Sequence, residues 1–190
     1  DGVTVAPEKV KAKVDACMEK TTDAEKDKCI VAAAKTLRSV EPCESTVSIS
    51  RDECVLQYAV QTNRDAECAK INSTELKDEC FTTIAVKKGL TKICESVSTS
   101  GGRDSCYSQI ALKRNNYEVC QIIGSSTLKY DCLAKVGDKK NDVAICELIP
   151  ESTVKDGKSL RNTCLISTGK KVPAVCLAYS DYDDFAKCYS

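Results

Sequence analysis

Residues 78–103 read D-E-C-F-T-T-I-A-V-K-K-G-L-T-K-I-C-E-S-V-S-T-S-G-G-R, and Asp104-Ser105-Cys106 starts the same text again. Self-similarity at a fixed period marks a repeat architecture: one unit is too small to bury its apolar face and does so by stacking on its neighbours. Cys80, Phe81, Ile84 and Ala85 share the 3-to-4 spacing of a helix face, and Cys94 with Val97 marks a second, shorter helix.

The pattern extends outward in both directions. In the longer kind of helix the cysteine is followed by a large apolar residue (Ile30, Val55, Phe81, Tyr107, Leu133, Leu165, Tyr189) and, five residues on, by a small one (Ala34, Ala59, Ala85, Ala111, Gly137, Gly169). Small residues at a fixed phase let neighbouring helices approach, and the large ones interdigitate around them. A basic and then an acidic or amide residue precede the cysteine in Lys26-Asp27, Arg51-Asp52, Lys77-Asp78, Arg103-Asp104 and Arg161-Asn162. These are expected to be solvated first-turn charges, the acid favoured by the helix dipole. The shorter helices surround Cys43, Cys68, Cys94, Cys120, Cys146 and Cys176, and Ser/Thr/Gly turns with helix caps join the elements. Ahead of them, Lys9–Lys20 and a segment from Thr22-Asp23 to about Arg38 read as helices, with Pro7-Glu8 as a first turn. Residues 1–6 read as an extended arm and residues 7–190 as one array of about seven helix pairs. No strand pattern is expected after residue 6.

Fourteen cysteines are spread over the whole chain. Disulfides are rare in the cytosol, and metal sites use close pairs such as C-x-x-C, whereas the closest cysteines here, Cys43 and Cys54, have ten residues between them. Structural disulfides in an oxidising compartment are therefore expected, with Asp1 read as a mature N-terminus after signal-peptide removal. Two regular pairings are available. Neighbour pairing joins Cys17–Cys29, Cys43–Cys54, Cys68–Cys80, Cys94–Cys106, Cys120–Cys132, Cys146–Cys164 and Cys176–Cys188. The offset scheme, Cys29–Cys43 and onward, leaves Cys17 and Cys188 single. Geometry favours the first, because Cys68 and Cys80 stand nearly level across a helical hairpin that turns at Asn72–Thr74. The longer step from Cys146 to Cys164 holds an insertion, Pro150–Ser159, that lengthens one hairpin loop at small entropic cost.

Lys plus Arg and Asp plus Glu both number 28, and the charges are interspersed. No basic field is present to hold nucleic acid, and no apolar run is long enough to span a membrane. The chain has no histidine, no G-x-S-x-G elbow, no phosphate-cradling glycine loop and no C-x-x-C pair. Gly101-Gly102 reads as a helix entry turn, and Asp181, Asp183 and Asp184 read as first-turn acids rather than a calcium loop. No catalytic residue, metal site or cofactor is expected. Asn72-Ser73-Thr74 is an N-glycosylation acceptor sequence in an expected exposed turn.

The last twelve residues hold Tyr179, Tyr182, Phe185 and Tyr189. Such a concentration of aromatics reads as an interface. With Val3, Val5 and Ala6 of the arm it suggests a heterologous contact between copies, which repeats without closing; the other reading is that the tyrosines finish the core and the arm is disordered.

The helix pair with its phased small residue, carried by Cys80-Phe81…Ile84-Ala85…Cys94 and Cys106-Tyr107…Ile110-Ala111…Cys120, resembles the tetratricopeptide and Sel1-like solenoids. The paired cysteines look like those of disulfide-stapled, secreted Sel1-like cysteine-rich proteins. That resemblance implies protein interaction rather than catalysis. The expected fold is an all-α, right-handed α-solenoid of short helical hairpins, each stapled by a disulfide. The expected role is that of a non-enzymatic subunit of an extracellular filament or surface assembly. Its partner would be a second copy of itself, with other surface proteins as further partners. The alternative is a secreted monomeric module that binds a protein or peptide.

Overall fold

A computed structural model describes residues 5–156 and 158–169. Among them are eleven α-helices: α1 (Pro7–Met18), α2 (Asp23–Leu37), α3 (Arg51–Thr62), α4 (Asp65–Cys68), α5 (Thr74–Lys88), α6 (Thr91–Cys94), α7 (Ser100–Arg114), α8 (Tyr117–Gln121), α9 (Ser126–Lys140), α10 (Val143–Glu147) and α11 (Leu160–Gly169). A 3-10 helix, Glu41–Ser45, takes the place of a short α-helix between α2 and α3. The chain divides into two compact units, one of Asp1–Lys88 with Ser96–Ser98, the other of Gly89–Glu95 with Thr99–Ser190.

Each hairpin follows from local sequence. Long helices begin at hydroxyl caps: Thr22 and Ser50 each close a capping box with the glutamate three residues on, and Thr99 and Ser125 accept from Gly102 and Leu128. They end on a residue of positive φ, namely Arg38, Asn63, Gly89, Asn115 and Asn141, each five residues before the cysteine of the next short helix. The next backbone N–H then bonds back to the carbonyl of the phased small residue: Ser39 to Ala34, Arg64 to Ala59, Asn116 to Ala111 and Asp142 to Gly137, at 3.0–3.1 Å. The small residue thus serves twice, as the acceptor that ends the helix and as the buried point of close packing. Ala34, Ala59, Ala85 and Ala111 have no exposed surface, and a Cβ on Gly137 would lie 3.1 Å from the Cys146 sulfur.

In the first unit α2 packs on α1 and on α3, and α3 on α5; in the second α9 packs on α7 and on α11. Successive hairpins therefore stack as in a helical solenoid within each unit. Six bridges join Cys17–Cys29, Cys43–Cys54, Cys68–Cys80, Cys94–Cys106, Cys120–Cys132 and Cys146–Cys164, with Cα–Cα distances of 5.4–5.8 Å. No cysteine among the described residues is free. The core of the second unit shows the sequence logic: Leu133 and Leu165 follow their cysteines, Ile123 and Ile149 come three after theirs, and all pack with the bridges in one buried cluster.

One expectation fails here. The insertion is not a plain loop: Val154–Lys155 (β1) pairs antiparallel with Lys158–Ser159 (β2). Two residues per strand leave no length for a period-2 pattern, so nothing in the sequence announces it. Among the described residues no helix is long and apolar enough to cross a membrane.

Candidate functional site

Two features of the first unit carry the most specific chemistry. One is a set of aspartate clasps between repeats. Asp27, two residues before Cys29, accepts the backbone N–H groups of Val47 (2.7 Å), Ser48 (2.8 Å) and Ile49 (3.0 Å), together with the Ser48 hydroxyl. Asp52 repeats this toward Asn72 and Ser73, and Asp78 accepts both the N–H and the hydroxyl of Ser98. In the second unit Asp104 holds Gly124 and Ser125 at 2.9 and 2.8 Å. The long helices α2, α3, α5 and α7 therefore each grip a loop about twenty residues further along.

These aspartates are not the solvated first-turn charges expected from the sequence. Asp27 is 3% and Asp104 9% exposed. A helix reads acids near its N-terminus in terms of its own dipole; the next repeat's loop, with N–H groups no helix or strand uses, supplies a stronger partner. Burial alone would push the Asp27 carboxyl up, but the Ser48 hydroxyl and the three N–H groups outweigh it and hold the group below the usual carboxylate range. Burial likewise opposes, and the Ser73 and Asn72 N–H groups with Arg51 overcome it, at Asp52. The signal available in the sequence was the recurrence itself, since a solvated charge has no reason to keep one phase for four repeats.

The preceding base joins the device at Arg51. Arg51 bonds Glu44 at 2.7 Å and Asp52 at 3.0 Å, and donates to the Lys70 carbonyl at 2.7 Å. Lysines near the ends of long helices act similarly: Lys87 donates to the Val60 carbonyl, and Lys139 to that of Leu112. The series stops at Cys132, where Tyr130 occupies the clasp position. The loop that follows is the one carrying the β1–β2 hairpin, which is held by an ion pair between Lys155 and the neighbouring Asp131.

The other feature is a groove of about 350 Å³ between α2 and α3, walled by Lys28 and Lys35 on one side and Gln57 and Gln61 on the other. Its base includes Val31 and Ile49. Lys28, Val31 and Lys35 share one face of α2 by their spacing.

Of the assembly residues expected from the sequence, Val3, Tyr179, Tyr182, Phe185 and Tyr189 lie outside the described residues, as does the Cys176–Cys188 pair. Val5 is half-buried, and Ala6 is the N-cap of α1, its carbonyl accepting the Lys9 N–H at 2.9 Å. Asn72 is exposed, its backbone N–H held by Asp52. Gly101 and Gly102 fall in the first turn of α7. Comparison with family models, curated proteins and solved structures found no match.

Proposed function

We propose that this chain is a non-enzymatic structural protein of an oxidising, extracellular space, a subunit that assembles copy on copy into a filament or surface layer. The observation that carries the reading is the double fastening: six bridges close successive hairpins, and carboxylate clasps tie a hairpin to the loop of the next. Each bridge closes a loop of a dozen or so residues, for about 3 kcal/mol in the chain-entropy model. Stapling at every step suits a material that must persist without repair, and bridges of this number are kept in oxidising surroundings. The aromatics Tyr179, Tyr182, Phe185 and Tyr189, with the apolar Val3 and Val5, supply in the sequence the surface that such an assembly needs.

Negative-stain microscopy of native material, prepared without reductant, tests this. Filaments or sheets built of repeating copies of this subunit are expected. Isolated single subunits would overturn the assembly. The groove between α2 and α3 favours a second reading, a monomeric module that binds a segment of a partner protein, and single subunits would leave that reading standing.

A further inference from the structure

We infer that the groove between α2 and α3 seats the acidic, aromatic segment Tyr179–Phe185 of a second copy of this chain. The inference rests on the assembly proposed above and names its contact. The groove is electropositive by elimination. Lys28 and Lys35 are exposed and make no ion pair among the described residues, and the side chains of Gln57 and Gln61 make no hydrogen bond among them. The acid in the lining is Asp27, which the two lysines outnumber and whose lone pairs are already directed at three N–H groups and the Ser48 hydroxyl.

The two lysines stand two turns apart on α2, about 10 Å, which suits two carboxylates of one short segment better than a single anion. Beside them the exposed Ala32 and the half-buried Ile49 offer apolar surface, and the lysine stems add more, so an aromatic ring beside each carboxylate would be covered as well.

The sequence Tyr179-Ser180-Asp181-Tyr182-Asp183-Asp184-Phe185 has three acids, three rings and no base, a combination that no other seven-residue stretch of the chain carries. Charge also separates this groove from the larger one, about 440 Å³, that Pro7, Val10, Lys11 and Val14 line on α1. There the exposed Asp15 and Glu41 outnumber Lys11 and would repel the segment.

Charge reversal tests the contact on the full, oxidised chain. K28E/K35E changes two exposed side chains, and D181K/D184K changes the other partner; circular dichroism and a thiol assay establish that each variant keeps its helices and bridges. In sedimentation velocity each variant alone is expected to associate roughly tenfold more weakly than wild type, or worse. An equal mixture of the two is expected to recover association, since the groove of each then meets the complementary segment of the other. If wild type assembles and K28E/K35E assembles equally well, this contact is wrong while the assembly reading stands. If only K28E/K35E is affected, or the mixture fails to recover, the groove takes some other acidic partner and the inference falls. If wild type stays monomeric throughout, both fall.

Discussion

The Ser48 backbone N–H lies 2.8 Å from the Asp27 carboxylate, across twenty-one residues of chain. Asp27 belongs to a helix and Ser48 to the loop that starts the next repeat, so this bond sets one repeat against another in a way that a bridge within a hairpin cannot. Apolar stacking supplies most of the stabilisation between repeats but is tolerant of small slides. A carboxylate that accepts two or three N–H groups is directional, and it fixes the register.

Removing the clasp should cost more where it holds more. Asp27→Ala leaves three N–H groups without their acceptor, and Asp52→Ala leaves two and frees Arg51. Losses of about 2–4 kcal/mol at Asp27 and about 1–3 at Asp52 are expected, read from denaturant midpoints of oxidised protein. Equal, negligible losses at both positions would mean that water replaces the carboxylates without cost.

Acid should loosen the same device. Asp27 and Asp52 are more acidic than their ordinary value of 3.8. A carboxyl depressed by folding contributes stability that is complete above its unfolded pKa and is lost as the pH falls through the lower folded value. The denaturant midpoint is therefore expected to stay level near neutrality, to drop below about pH 4, and to drop less in Asp27→Asn. A wild-type midpoint that is the same at pH 7 and pH 2.5 would contradict this.

Gly89 ends α5 at φ +73°, where Asn63, Asn115 and Asn141 end α3, α7 and α9 at φ 52–56°. Gly89→Ala places a Cβ 2.4 Å from the Arg114 Nε, so that flexible side chain must move, and it adds the left-handed penalty of a β-carbon. A loss of about 1–2 kcal/mol is expected. Gly89→Asn should be milder; an asparagine that costs more than alanine would show that the contact with Arg114, not the backbone, dominates.

A single staple should matter locally. Cys68 and Cys80 are both fully buried, and Cys68→Ala with Cys80→Ala reopens a loop of a dozen residues. A loss of about 3 kcal/mol is expected, together with faster amide exchange in α4 and α5 than in α1. Uniformly faster exchange would contradict independent stapling of repeats. In the unreduced parent, proteolytic peptides should join Cys68 to Cys80; a peptide joining Cys54 to Cys68 would favour the offset pairing.

Much of the fold was legible because each of its causes is local. The phase of Ala34, Ala59, Ala85 and Ala111 marks the buried face, Thr22 and Ser50 mark helix starts, and equal chain lengths on either side of a turn bring Cys68 level with Cys80. The clasps were not legible as clasps, because their acceptor and donors lie about twenty residues apart and the donors are backbone groups with no side-chain signature. The β1–β2 pairing was missed for the opposite reason: it is local but too short for periodicity to register. The groove combines both difficulties, since Lys28 and Lys35 look like any solvated helix face until α3 brings Gln57 and Gln61 opposite them.

The claim on which the functional reading turns is that native subunits associate. Sedimentation velocity of unreduced, native-source protein over a hundredfold range of concentration tests it most directly. The expected result is a concentration-dependent series of species above the mass of one subunit that dissociates as salt is raised. A single boundary at the mass of one subunit at every concentration and salt would contradict the account.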